Sequence, residues 1–344
     1  TTFTVPGQGT FVANPVTGSV TFTPVADYNG TTTPITYSVC DNGTPLPALC
    51  AQATITVTVT TDPVAKLKVK VMLQGALYGT SNGLMRDDLR AGGHLPLTEP
   101  YTAFGSSRFQ HQNGGGGEIT TSAVLAANAG TRNAIVDWVF VELRSAADAS
   151  IVLQTRSALV QRDGDVVSAA DGTSLLEFVG RVGQQCFVSV KHRNHLGVMT
   201  AAQVVLNSDS TVVDFIHASN AQVYDKPGST NYDGAEQVTV AGAGRALWAG
   251  NANINNKVKY QGAASDNSIL LSQVLGYPGN TTSSYNYNLA LGYFNGDINL
   301  DGKVKYQGTA SDATFIFSNV VGLYNTLNTI GLYNYDLFVE QTPN

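Results

Sequence analysis

Gly296-Asp297-Ile298-Asn299-Leu300-Asp301-Gly302-Lys303-Val304-Lys305-Tyr306-Gln307-Gly308-Thr309-Ala310-Ser311-Asp312 stands near the C-terminal end of the chain. Gly250-Asn251-Ala252-Asn253-Ile254-Asn255-Asn256-Lys257-Val258-Lys259-Tyr260-Gln261-Gly262-Ala263-Ala264-Ser265-Asp266 stands 46 positions before it. The shared Lys-Val-Lys-Tyr-Gln-Gly, with Ala-Ser-Asp following in register, marks a duplicated unit.

In the second copy, oxygen-bearing side chains recur at Asp297, Asn299 and Asp301, and Gly302 follows. Oxygens at alternate positions can converge on a hard cation, and glycine at the sixth position makes the sharp turn of a calcium loop. The expected ligands are Asp297, Asn299, Asp301 and the Lys303 backbone carbonyl. Gly308 occupies the twelfth position, where an acid is usual, and Asp312 comes four residues later as a further ligand, so the loop is either enlarged or closed differently. The first copy offers Asn251, Asn253 and Asn255, with Asp266 in the place of Asp312 and Asn256 in the place of the glycine. Neutral amides bind calcium more weakly, so the second site should be the tighter. A pair of Asx turns without metal is the alternative.

After each loop comes the same apolar pattern: Ile269, Leu270, Val274 and Leu275, then Phe315, Ile316, Val320 and Val321. This spacing fits one face of a short helix with Ser265 or Ser311 as N-cap. A loop of Asp-x-Asn-x-Asp-Gly followed by a helix, present twice, resembles a dockerin over roughly the last hundred residues. The resemblance implies bound Ca2+ in residues 241–344.

The 344 residues suffice for two or three domains. A net charge of −6 argues against nucleic acid and anionic membrane surfaces as partners. No apolar run reaches the length of a membrane span, so no membrane insertion is expected. A chain opening on Thr1 without a signal peptide reads as a processed piece of something longer.

Residues 1–61 read as a small β domain. Val20-Thr21-Phe22-Thr23-Pro24, Ile35-Thr36-Tyr37-Ser38-Val39 and Ala53-Thr54-Ile55-Thr56-Val57-Thr58-Val59-Thr60 are strand-like, with turns at Asp27-Tyr28-Asn29-Gly30 and Asp41-Asn42-Gly43. Cys40 and Cys50 flank a turn-rich segment. A disulfide there would suit so small a domain and place it in an oxidising compartment, whereas two free thiols would not. Cys186 lies in an alternating strand and reads as a buried apolar residue. Gly7-Gln8-Gly9-Thr10-Phe11, Gly18-Ser19-Val20-Thr21-Phe22-Thr23-Pro24, Tyr28-Asn29-Gly30 and Ala53-Thr54-Ile55-Thr56-Val57 resemble immunoglobulin-like repeats of large bacterial surface proteins, in particular the fibril repeats of streptococcal adhesins. Such repeats begin with strands upstream of Thr1. The resemblance therefore implies an open edge at Val20, Phe22, Ile35 and Tyr37, covered by an upstream repeat or by a strand from another copy.

Residues 66–240 read as a larger antiparallel β-sandwich, with strands near 66–73, 135–143, 151–160, 175–179, 186–191 and 203–206. The glycines 114–117 form a flexible tip. Val71-Met72-Leu73-Gln74-Gly75-Ala76-Leu77-Tyr78, Val136-Asp137-Trp138-Val139-Phe140-Val141-Glu142-Leu143-Arg144 and Lys191-His192-Arg193-Asn194-His195-Leu196-Gly197, followed by the duplicated unit, resemble a module of secreted Bacteroidota proteins. Those proteins are large, carried to the cell surface or exported by the type IX pathway, and mostly without assigned activity.

Other groups point less sharply to chemistry. His192 and His195 are three apart, a spacing that on a strand places them on opposite sides, so Arg193 and Asn194 ordering a turn competes with metal ligation. Asp163, Asp165 and Asp171 are a candidate for another cation, with ordinary hairpin turns as the competing reading. Asp137, Glu142, Glu177 and Asp214 give no acid–base pair by spacing, and no Gly-x-Ser-x-Gly, phosphate loop or Cys/His nucleophile motif occurs. Tyr285, Tyr287, Tyr293, Tyr324, Tyr333 and Tyr335 could face a sugar or wrap the duplicated domain. The chain thus reads as a non-enzymatic, extracellular, mainly β segment of a surface adhesin or fibre, stiffened by calcium. A glycan-binding accessory module is the alternative. Its expected partners are other copies or upstream repeats, with surface glycans as a further class. Tyr335-Asp336-Leu337-Phe338-Val339-Glu340 is the expected donor strand for assembly between copies.

Overall fold

The computed structural model describes all residues except 27, 42–46, 227–235, 324–337, 341 and 344, and the side chains of 323, 338 and 339. Of the expected features, Asp27, Asn42, Gly43, Tyr324, Tyr333, Tyr335, Asp336 and Leu337 lie outside the described residues. The chain is mainly β and divides into two compact units, Thr1–Pro63 and Val64–Asn344.

In the first unit, β1 (Thr2–Val5), β2 (Gly9–Ala13) and β3 (Val20–Pro24) make an antiparallel sheet. Short β4 (Gly30–Thr31) pairs with β7 (Thr58–Val59), and β5 (Ile35–Cys40) pairs with β6 (Cys50–Ile55). Phe11 is the buried centre, its ring 4.5 Å from that of Phe22. Around so small a core, Val20, Tyr37, Val39 and Leu49 are exposed, and Phe22 and Ile35 are half-buried.

A Cys40–Cys50 disulfide closes the loop end of the β5–β6 hairpin, where the two residues are direct cross-strand partners. The sequence separation is 10. In the chain-entropy model a loop of that length removes about 2–3 kcal/mol of unfolded-state freedom. Reduction should therefore lower the unfolding midpoint of the first unit and leave the second unchanged. Hydrogen-exchange mass spectrometry with and without reductant checks this, and equal protection of β5 and β6 in both would count against it.

The second unit is built on one nine-stranded sheet. Its strands are β8 (Val64–Lys70), β9 (Ile135–Ser145), β10 (Val152–Gln161), β11 (Asp165–Val167), β12 (Leu176–Val179), β13 (Gln185–Lys191), β14 (Val198–Met199), β15 (Val204–Val205) and β16 (Thr211–Asp214). All pairings are antiparallel except β16 on β8. Long β9 is central, between β10 and β13, and is buried on both faces from Ile135 to Arg144. Its apolar run Val139-Phe140-Val141 has that cause: both sides of the strand are covered. Helices are few and short: α1 (Gln74–Leu77), α2 (Asp88–Ala91), α3 (Ser122–Ala127), α4 (Asp266–Leu275) and α5 (Asp312–Phe317).

Residues 66–240 and 241–344, read from the sequence as two domains, share one hydrophobic core that runs from Leu67 and Trp138 to Leu270, Ile298 and Val320. The chain joins them at Leu73↔Leu247 and His195↔Ala249 bridges. The apolar faces of two short loop–helix repeats are too small to close a core alone, so they bury against the large sheet.

Candidate metal centre

Both duplicated loops have the same backbone, and the shared motif explains why. Asp312 N–H donates to Lys305 O at 2.9 Å and its Oδ2 accepts from Lys305 N at 2.8 Å. In the first copy Asp266 N–H donates to Lys259 O at 2.9 Å and Oδ2 accepts from Lys259 N at 2.7 Å. Each aspartate also braces the loop entry: Asp312 Oδ1 accepts from Ile298 N and Asn299 N, and Asp266 Oδ1 from Asn253 N. Asp312, expected as a further ligand, thus has both oxygens engaged by backbone N–H groups. Gly302 and its counterpart Asn256 both have left-handed backbone (φ 85° and 66°), a conformation glycine and asparagine tolerate best. The helices α4 and α5 begin where expected, and Ser311 accepts from Thr314 N as a cap.

Three of the expected ligands of the second loop, Asp297, Asn299 and Asp301, accept from the loop's own backbone. Asp297 Oδ1 and Asn299 Oδ1 both accept from Asp301 N at 3.0 Å, Asp297 Oδ2 accepts from Gly302 N at 2.9 Å, and Asp301 Oδ1 from Lys303 N at 3.1 Å. In the first loop Asn251 and Asn253 share Asn255 N, and Asn255 accepts from Lys257 N. Asparagine therefore suffices for these turns. The carboxylates at Asp297 and Asp301 add negative charge that the turn geometry does not require.

That charge lies in a poor place for it. Asp297 and Asp312 are fully buried. Burial, and then the Asp312 charge, raise the Asp297 carboxyl well above the usual range, against the Arg193 guanidinium nearby. Burial pushes Asp312 up to about 7, although the Lys305, Asn299 and Ile298 N–H groups pull the other way. The first loop carries one acid, Asp266, and the buried Asn251 Nδ2 has no hydrogen-bond partner.

Residues 192–195 hold the second loop in place. The strand ends at Lys191 and the chain bends, so His192 and His195 do not face opposite sides; their rings lie 4.7 Å apart, edge to face. Asn194 Nδ2 donates to Asn295 O and Asp297 O at 2.9 and 2.7 Å, and Arg193 Nη1 donates to Phe294 O. Arg193 also bonds Asp137 through Nε at 3.2 Å and lies 4.3 Å above the Tyr293 ring. His192 Nε2 meets Asp137 Oδ2 at 3.1 Å, and His195 Nε2 accepts from Gly75 N at 3.1 Å. Burial keeps both histidines below their usual pKa, His195 well below. From the other side, Arg86 Nη2 donates to Asn299 O at 2.5 Å. Sequence reasoning placed Arg193 and Asn194 as turn-orderers but not their target, about a hundred residues away.

The remaining candidates are absorbed by structure. Asp163 pairs with Arg132, Asp165 with Lys70, and Asp171 caps Thr173 and Ser174. Glu142 is buried between Arg144 and Lys191, on the face of β9 opposite Asp137. Cys186 is buried as expected. Tyr287 and Tyr293 pack against the core, and Tyr285 is exposed. The described end of the expected donor strand, 338–340, is paired within its own chain. Phe338–Val339 pairs with Lys257–Val258, Glu340 N donates to Asn256 O, and the Glu340 carboxylate is buried on Arg108. Strand donation from this segment would require all of that to break.

No helix among the described residues is long and apolar enough to cross a membrane. Residues 1–59 match the surface adhesin CshA repetitive domain. No curated protein and no solved structure matches the chain.

Proposed function

We propose that this chain is a non-catalytic structural segment of a bacterial cell-surface adhesin, with its second unit stiffened by calcium in the loop of Asp297, Asn299, Asp301 and Lys303. The observation that carries the adhesin reading is the match of residues 1–59 to a surface adhesin repeat. The disulfide suits an oxidising exterior. The calcium reading is supported by the contrast between the two loops: one backbone, but carboxylates at two positions of the second where the first has amides. A dication would offset the charge of Asp297 and Asp301 and tie the loop to the 192–195 turn. The dockerin-like unit then serves as an internal clamp, since Arg193, Asn194 and Arg86 occupy its flanks.

Calcium at about 100 times its Kd should stabilise the second unit by about 2.7 kcal/mol. For a unit of this size that is a rise of roughly 5–10 °C in Tm. The double variant Asp297→Asn, Asp301→Asn copies the first loop, so it should fold and lose the calcium response. A Tm of the parent protein indifferent to chelator would refute the calcium reading. Antibodies raised against the chain should label intact producing cells, and labelling only after lysis would refute the surface reading.

A further inference from the structure

A second group of ligating side chains lies away from the duplicated loops. Leu97 to Glu99 pairs with Glu118 to Thr120 in a short antiparallel ladder, with Thr98 opposite Ile119, Glu99 N–H donating to Glu118 O at 3.0 Å and Thr120 N–H to Leu97 O at 2.7 Å. Glu99 and Glu118 are therefore direct cross-strand partners, an arrangement that is destabilising for like charges unless something sits between them. What sits there is the imidazole of His111. One ligand atom from each of Glu99, His111 and Glu118 can be chosen so that all lie within 4.8 Å of one another.

The histidine is set for ligation. Thr155 Oγ1 has one proton, which it donates to Gln112 O, and it accepts from Gln112 N. Its remaining lone pair accepts from His111 Nδ1–H at 3.2 Å. With the Thr155 proton on Gln112 O, Nδ1 is the donor in this contact, which is the tautomer that leaves a lone pair on Nε2. Nε2 is buried, has no hydrogen-bond partner, and lies 3.5 Å from Glu99 Oε2. A ring nitrogen aimed at carboxylates at that distance calls for a proton or a metal ion between them. Zinc at about 2.1 Å from each of two ligands in a tetrahedron sets those ligands about 3.4 Å apart.

The glycines 114–117 acquire a purpose here. Gly116 N donates to Glu118 Oε2 at 2.9 Å and Gly117 N to Glu99 Oε1 at 3.3 Å, so the loop holds both carboxylates. It wraps so closely that a Cβ on Gly115 would stand 2.2 Å from Thr155 Oγ1 and 2.9 Å from His111 Nδ1. Behind the ring lies Phe140, its centroid 4.9 Å away. Glu118 accepts one N–H on each oxygen, from Gly116 and Ser157, and keeps a lone pair on each. Glu99 is more fully engaged: Oε2 accepts from Tyr101 N and Thr102 N, and Oε1 from Gly117 N and the Thr102 hydroxyl, so the oxygen it can free for a metal, once that hydroxyl turns away, is Oε1. The nearby Arg156 guanidinium donates to the carbonyls of Thr155 and Glu177, and its charge faces Glu118. In front of His111 opens a cleft of about 480 Å3, bordered by Tyr101, Ser106, Phe109 and Gly116.

We propose that Glu99, His111 and Glu118 form a binding site for a transition-metal dication, zinc by preference. One imidazole and two carboxylates match zinc rather than calcium, which takes oxygen ligands alone. The two carboxylates carry negative charge that a dication offsets, beside the Arg156 guanidinium that faces Glu118. The site shares no residue with the calcium loop and does not depend on it.

The test is zinc titration of the untagged full chain, stripped of metal and held in excess calcium. One zinc equivalent should bind, and Asp297→Asn with Asp301→Asn should leave its affinity unchanged. His111→Gln and Glu118→Gln should each weaken binding by more than the ~10–100-fold expected for Thr155→Val, which alters only the group that orients the ring. Where a variant fails to fold, the parent protein decides by nitrogen NMR of its five histidines. Zinc should shift the Nε2 resonance of one histidine while its Nδ1 stays protonated. Histidine signals unmoved by zinc, or undiminished zinc affinity in a folded His111→Gln, would overturn the proposal. So would a histidine here that only gains a proton on acidification and does not respond to zinc.

Discussion

Arg193→Met is expected to destabilise the second unit by about 3–5 kcal/mol, the range for removing one partner of a buried ion pair. Arg193 is fully buried and faces Asp137. Burial alone would raise the Asp137 carboxyl; Arg193 first, then His192 and Tyr293, hold it below its usual value. Methionine keeps much of the volume but leaves a charged carboxylate to a neutral histidine and a tyrosine hydroxyl. Lysine should rescue little, because it cannot serve Asp137, Phe294 O and the Tyr293 face at once with one point charge. Adding Asp137→Asn should restore part of the loss, since the two residues act as a pair. Both tryptophans, Trp138 and Trp248, lie in the second unit, so fluorescence during urea unfolding reports that unit alone. A loss below about 1 kcal/mol would mean that water reaches Asp137 and that the turn is not the anchor argued above. The same variant should bind calcium more weakly, because the segment entering the loop hangs from Phe294 O and Asn295 O.

Glu340→Ala should cost a similar amount, and its signature is in pH. Arg108 donates to the carbonyls of His192 and His195 at 2.7 and 2.9 Å, and its charge is met by Glu340, which also accepts from Gly197 N at 2.7 Å. Burial alone would raise the Glu340 carboxyl, but Arg108 and then Lys191 outweigh it and hold the group at about 2 instead of 4.5. A depressed acid contributes stability that is present above the unfolded value and lost as pH falls through the folded one. The parent protein should therefore lose roughly 3 kcal/mol between pH 4.5 and 2 on account of this residue. In Glu340→Ala that part of the slope disappears, and the variant starts lower by about 3–5 kcal/mol. Parallel stability–pH profiles for variant and parent would defeat this assignment.

Both residues belong to one device. The 192–195 turn receives Arg108 at its carbonyls and sends Arg193 and Asn194 into the second loop, and Glu340 returns from the far end of the chain to close the set. Pulling on the C-terminal segment would act on buried ion pairs as well as on a two-residue strand pair.

What the sequence determined by itself is local. The alternation in residues 186–191, the long apolar run of β9 and the turn-flanked Cys40 and Cys50 each encode an element through neighbours a few positions apart, and each is present in the structure. The duplication was legible for the same reason: Lys305 and Asp312 bond each other within one short loop, so the motif carries its own geometry. The tertiary structure alone decided the rest. Periodicity says that a face is buried, but not against what; hence the duplicated repeats joined the core of the large sheet. The rule that residues three apart on a strand face opposite ways failed at His192 and His195 because the strand stops at Lys191. Arg108 and Glu340 are 232 positions apart, and nothing in either neighbourhood names the other. Glu99 and Glu118 face each other only because a ladder of three residues aligns them, and His111 joins them only because glycine lets the loop pass close to its ring. Such pairings are set by the packing of whole elements, which minimises buried unpaired charge across the fold and leaves no periodic trace in the chain.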